Sequence, residues 1–215
     1  GSETASAINS RGIYDTHGQD GARQQLTTYD YSAVGWGHVA SKAWYDVVTR
    51  DFMSGEYVWT GFDYLGEPTP WNGTDPGAKG TWPSPKNSYF GIIDTAGLPK
   101  DSYYLYQSLW NDDLNTLHVL PAWNGDVVKK DGQNKVDVVV YTDAASVELF
   151  FTPKGSLERQ SLGKKTFTKK TTKDGMSYQM YEGEGKYTGN AEHRNLYLTW
   201  KVPYADGTIT AEAYN

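Results

Sequence analysis

From residue 117 to the end of the sequence, apolar and polar residues alternate with a period of two, and nothing there reads as a helix. Asp-Gly pairs at 131–132, 174–175 and 206–207 cut the pattern into short lengths. Period-two alternation puts successive side chains on opposite faces of a strand, and Asp-Gly supplies the backbone conformations that tight turns require. The pattern predicts strands at 117–120, 135–142, 146–152, 165–171, 177–181, 195–202 and 208–214. About seven short strands in about 100 residues predict an immunoglobulin-like β-sandwich, here without the Cys-Trp-Cys signature of true immunoglobulin domains.

The first 112 residues follow a different pattern. Residues 37–50 (GHVASKAWYDVVTR) place Val39, Ala43, Trp44, Val47 and Val48 near helical spacing. Residues 56–62 (EYVWTGF) read as a buried strand, and 101–110 (DSYYLYQSLW) as a second helix with Asp101 as N-cap after Pro99. Between them lies a loop over 63–87, rich in Pro, Gly and Trp. Loops of that length are usually functional or disordered, and the aromatic residues in it argue against disorder. The order of loop, helix, strand, long loop and helix matches the last units of a β/α array. A (β/α)8 barrel takes roughly 200 residues or more, so residues outside this stretch are expected to complete it.

Composition narrows the function classes. The net charge is −6 and the acidic residues are scattered, whereas a polyanion-binding protein carries a basic patch or stripe. The one basic cluster, Lys164 to Lys173, alternates with Thr and Phe and reads as the solvated face of a strand; no nucleic-acid partner is expected. The sequence has no Cys, which excludes disulfides and thiolate chemistry, and no apolar run of membrane-spanning length. The 17 Tyr and 8 Trp suit carbohydrate, whose C–H faces stack on rings while its hydroxyls seek hydrogen bonds. They equally suit a β-rich protein that uses aromatic residues as strand formers.

Three stretches go beyond pattern: GSETASAINSRGIY at 1–14, GEYVWTGFDYLGEPTPW at 55–71 and NSYFGIIDTAGLPKDSYYLYQSLW at 87–110. Together they resemble the end of the catalytic barrel in glycoside hydrolase family 2. The nearest branch is that of the large, multidomain, cell-surface β-galactosidases found in streptococci. The resemblance continues more weakly through HVLPAW at 118–123 and YTDAASVELFF at 141–151, which look like the sandwich that follows the barrel. It implies two domains: 1–112 as the C-terminal part of the barrel and 117–215 as the immunoglobulin-like sandwich. It also implies an extracellular, cell-surface setting, a β-galactoside glycan as substrate and no cofactor.

In that family the nucleophile closes a short motif ending in Ser-Glu at the end of barrel strand seven, which puts it at Glu3, with Gly1-Ser2 part of the native motif. Retaining glycosidases use one carboxylate to attack the anomeric carbon and a second, ~5–5.5 Å away, to protonate the leaving oxygen. The family's acid/base follows an Asn in an Asn-Glu dipeptide, and this sequence has none. Glu67, in GEPTP, belongs to a different part of the family's pattern and is rejected for the role. The acid/base is therefore expected from the N-terminal part of the same enzyme, which also completes the barrel. Trp59, at the end of strand eight, corresponds to the floor beneath the sugar in the first subsite. Asp63 either binds a sugar hydroxyl or holds its loop, and Trp71 and Trp82 either stack on the aglycone sugar or anchor the long loop. Arg11 reads as loop-ordering. His17 and His38 have no partner at metal-ligand spacing, so no metal site is expected.

Within the family, glucuronidases place an Asn-x-Lys pair where this sequence has Ser88-Tyr89-Phe90, which argues against an anionic sugar and for galactose. β-Mannosidase activity stays open. So does a non-catalytic reading, in which the sandwich, through Trp123, is a carbohydrate-binding or interaction module.

Overall fold

In the computed structural model, residues 3–72 and 83–215 are described. They form two compact units, one of residues 1–47 and 52–103, the other of residues 48–51 and 104–215. The elements run in the order β1 (Thr4–Ala5), β2 (Gln19–Asp20), β3 (Gln25–Leu26), α1 (Ala40–Val48), β4 (Val58–Trp59) and α2 (Asp101–Trp110). Then follow β5 (Leu117–Leu120), β6 (Lys135–Thr142), β7 (Ser146–Pro153), β8 (Gln160–Thr171), β9 (Ser177–Tyr181), a 3-10 helix (Gly189–Leu196), β10 (Leu198–Pro203) and β11 (Gly207–Tyr214).

The second unit is a β-sandwich of two antiparallel sheets, ordered β10-β6-β5 and β11-β7-β8-β9. Their inner faces share one core. Val138 and Val140 of β6, with Leu198, Trp200 and Val202 of β10, meet Val147 and Leu149 of β7 and Phe167 of β8. β6 is buried on both faces because its outer face is covered too. Tyr141 packs edge-on against Tyr197 at 5.4 Å and beside His118, which stacks on Tyr104 of α2 at 4.0 Å. The turn between β8 and β9 uses the predicted Asp-Gly pair, with Gly175 at φ +93°, a conformation that costs a residue with Cβ strain. The β8 lysines divide: Lys164 sits over the Tyr214 ring at 4.0 Å and Lys170 pairs with Glu182, while half-buried Lys165, against the expected solvated face, donates to Thr199 O at 2.7 Å.

The first unit holds one parallel β-α-β crossover. β1 pairs with β4 in the register Thr4↔Val58 and Ala5↔Trp59, and α1 lies between them in sequence. No closed barrel forms among the described residues. The strand predicted over 56–62 shrinks to Val58–Trp59. Past Trp59 the chain bonds to the 90–93 segment instead: Thr60 N donates to Phe90 O, and Asp63 N to Ile93 O. The peptide bonds Trp59-Thr60 and Thr69-Pro70 are cis. A small hairpin, β2 with β3, lies in a region read from sequence as loop.

The shared core predicts the cost of a cavity. Leu149→Ala, at a fully buried site between the sheets, should lower unfolding free energy by about 2–5 kcal/mol, measured by urea titration. A cost near zero would mean that the sheets do not pack as described.

Candidate functional site

The geometry starts from the parallel pair. Thr4 N donates to Tyr57 O at 2.6 Å, so the backbone beside Glu3 is held against the strand that ends in Trp59. Glu3 itself is exposed and lines a cavity of about 290 Å3 with Trp36, His38, Asp46, Val47 and Met53. Gly1 and Ser2 lie outside the described residues.

Trp59 is 37% exposed, the exposure expected of a ring that is both anchored and reachable. Its indole N–H donates to Tyr64 Oη at 3.2 Å, and the two rings meet edge-on at 5.9 Å. Tyr64 in turn donates its hydroxyl proton to Glu67. The Tyr64 pKa is pushed up to about 12, first by burial, then by the Glu67 carboxylate that accepts its proton, with a further push from the charge of Glu3. Trp59, Tyr64 and Glu67 thus form one hydrogen-bonded chain at the end of β4, and the Glu3 charge is felt at Tyr64. Glu67 has its place there as the hydrogen-bond partner of Tyr64.

Behind this rim lies a buried ion pair that sequence reasoning missed. Lys100 Nζ reaches Asp63 Oδ2 at 2.7 Å, and the two side chains are 1% and 5% exposed. Lys100 also donates to Asn9 O at 2.8 Å and Tyr89 O at 3.4 Å. Asp63 Oδ1 accepts from Gly91 N at 2.7 Å and from Ser88 Oγ at 3.5 Å. Burial raises the Asp63 pKa and lowers that of Lys100, while their mutual attraction pulls both back toward the ionised pair. Gly91 is required at this spot, because a Cβ there would lie 2.1 Å from Asp63 N.

These contacts decide between the two roles weighed for Asp63. Both carboxylate oxygens are used inside the fold, so the expectation of Asp63 as a sugar ligand is corrected: it holds the loop. Trp71 needs the same correction. It is 3% exposed and packs in a core with Ile8, Leu26, Val34, Tyr89 and Phe90, so it anchors the long loop and has no face free for stacking on a sugar. Trp82 lies outside the described residues. Arg11 pairs with Asp94 at 2.6 Å, and Asp94 also accepts from Ala96 N and Leu98 N, so Arg11 ties its loop to that turn. His17 packs edge-on against Tyr29 and Tyr31. Asp101 is the first residue of α2, and its carboxylate accepts from Tyr14 Oη at 3.4 Å and from Thr28 Oγ1.

A second missed residue is Glu56, one side chain below the pair. Thr4 Oγ1 donates to its Oε2 at 3.0 Å, and its buried Oε1 has no partner among the described residues. Burial raises its pKa from 4.5 to about 7, partly offset by the Thr4 hydrogen bond.

The protein-family model that matches, described as a domain of unknown function (DUF4982), covers residues 132–215. The chain is 36% identical over 183 residues to beta-galactosidase BoGH2A of Bacteroides ovatus, covering 85% of this chain and 16% of that protein. It is 32% identical over 191 residues to a Formosa agariphila protein named "Putative beta-glucuronidase", covering 87% of this chain and 14% of that one. Among solved structures, a beta-glycosidase from Bacteroides vulgatus aligns with a TM-score of 0.62 at 28% identity, over 99% of this chain and 25% of that one. The chain thus spans about a sixth of the curated relatives' length. These relatives are glycosidases, and the homologues are members of glycoside hydrolase family 2. None of the relatives named here is streptococcal.

Two predictions follow from the buried groups. Lys100→Met leaves Asp63 buried without its counter-charge and should cost about 3–5 kcal/mol in chemical denaturation, with Asp63→Leu in the same chain recovering part of it. For Glu56, the folded pKa lies above the unfolded one, so its protonated form stabilises the fold below pH 4.5 and that contribution is lost as pH rises toward about 7. Glu56→Gln should flatten the fall in thermal midpoint over that window and raise the midpoint above pH 7; an unchanged pH profile would show that Glu56 ionises normally in the folded protein.

Proposed function

We propose that this chain is the part of a family 2 glycoside hydrolase that carries the nucleophile, Glu3, and the aromatic floor of the first subsite, Trp59. The whole enzyme then releases terminal β-linked galactose with retention of configuration. The observation that carries this reading is the β1–β4 pairing, which brings the backbone at Glu3 alongside the strand ending in Trp59. In this scheme the Glu3 carboxylate attacks the anomeric carbon to form a glycosyl-enzyme ester, and a second carboxylate protonates the departing oxygen. That second group then deprotonates the water that releases the sugar. Tyr64, whose hydroxyl donates to Glu67 and accepts from the Trp59 indole N–H, holds the Trp59 ring in place. Residues outside this stretch supply the acid/base and the rest of an incomplete (β/α)8 barrel, of which the β-α-β crossover forms the end; the sandwich that follows is of the immunoglobulin-like type. Tyr57, Phe62 and Leu65 support this, since they are 74%, 61% and 83% exposed and suit a face that further barrel elements cover.

Two points favour galactose. The relative at 36% identity is named a beta-galactosidase. The cation near the 88–91 segment, Lys100, is buried against Asp63 and cannot meet a substrate carboxylate. The glucuronidase reading draws on the Formosa relative and requires a cation at the sugar.

The test is kinetic, with the complete enzyme and aryl β-galactoside, β-glucuronide and β-mannoside substrates. The galactoside should be the one turned over, and Glu3→Gln should lower kcat/KM by on the order of 10^4-fold or more with the fold intact. Unchanged activity in that variant would remove Glu3 from the chemistry, and preference for the glucuronide would overturn the choice of sugar.

A further inference from the structure

We propose that the end of the β-sandwich carries a binding site for a neutral pyranose sugar, separate from the site built around Glu3. A cavity of about 610 Å3 opens there, within the span of small-molecule sites, bordered by Trp123, the 124–126 turn, Lys130, Lys154, Tyr204 and Asp206.

The cavity is built by fixed side chains. The Trp123 indole N–H donates to Ala205 O at 2.9 Å, and its ring packs against Tyr204 at 5.2 Å and Phe151 at 6.3 Å. Lys130 Nζ donates to Gly125 O at 3.0 Å and lies 4.3 Å from the centre of the Tyr204 ring. Tyr204 donates its hydroxyl proton to Asp206 Oδ1 at 3.2 Å. A Cβ on Gly125 would lie 2.7 Å from Tyr204 Oη, so only glycine lets the turn come this close to the ring.

The chemistry left over selects the ligand class. Asp126 and Lys154 have no side-chain partner among the described residues, and the Asn124 amide keeps its donors, because only its Oδ1 is engaged, by Asp126 N. Two carboxylates, Asp126 and Asp206, balance two ammonium groups, Lys130 and Lys154, so the dish has no net charge to hold an anion. A sugar hydroxyl both donates and accepts, which suits a rim of both signs.

The test uses the complete enzyme, carrying Glu3→Gln so that lactose is not consumed, with lactose and galactose as probes and glucuronate as the anionic control, read by NMR on the tryptophan indole N–H signals. Lactose should shift the Trp123 signal saturably, with affinity in the millimolar range. The paired surface substitutions Asp126→Ala and Lys154→Ala should weaken it by roughly tenfold or more, with the other indole signals in place to show that the fold persists. Trp59→Ala should leave it unchanged. Absence of a saturable Trp123 shift, equal response to glucuronate, or loss of binding in Trp59→Ala would each overturn the proposal. The site is independent of Glu3, so inactivity of the complete enzyme toward galactosides would leave this result standing, and the reverse.

Discussion

The ion pair of Asp63 and Lys100 is the constraint on which the first unit depends. Two opposite charges almost out of contact with water cost several kcal/mol to desolvate, and only close pairing with additional hydrogen bonds repays that cost. Both charges meet that demand by drawing in backbone groups from separate segments: Asn9 O from the stretch after β1, Tyr89 O and Gly91 N from the end of the long loop. Lys100 itself stands one residue before α2. One interaction therefore fixes the path of the chain after β1, after β4 and into α2. The rim of Trp59, Tyr64 and Glu67 follows directly before and after Asp63, so its geometry inherits this anchoring. A short parallel pair of two residues per strand would not hold Glu3 and Trp59 in register without such support.

The sandwich is held by a different force. Its two sheets meet through branched and aromatic side chains, and most of its lysines lie at the surface over rings or beside carboxylates, with Lys165 the half-buried exception. It stands on apolar burial, which is strong where a side chain is fully enclosed and indifferent to pH. The first unit stands partly on buried ionisable groups, Asp63, Lys100 and Glu56. Acid and base should therefore act on the two units unequally, with the region around β1 and β4 the more responsive.

Much of the sandwich was readable in the sequence because its signals are local. The alternation over 135–142 and 177–181 marks β6 and β9 to the residue; the Asp-Gly pairs at 131–132 and 174–175 fall between strands, while Gly207 of the third opens β11. β8 begins five residues before the predicted 165, where exposed polar residues hide the pattern. The 3-10 helix at Gly189–Leu196 was missed because its polar run GNAEHRNL has no apolar period to read. The first unit was less legible for a physical reason. Lys100 and Glu56 carry no motif, and their roles depend on partners far along the chain. The same distance effect corrected Asp63 and Trp71: a loop position suggested exposure, while long-range packing buried both. The strand over 56–62 shortened because its backbone groups find partners in the 90–93 segment.

Glu3 was named through its resemblance to a short Ser-Glu motif, and its neighbour Thr4 pairs with Val58 of β4. The direct measurement is covalent trapping. The complete enzyme would be incubated with a galactose-configured mechanism-based inhibitor that forms a slow-hydrolysing glycosyl ester, then digested and analysed by mass spectrometry. A sugar adduct on Glu3, lost when galactose is in excess, is the result expected. An adduct on another carboxylate, with Glu3 unmodified, would contradict the account.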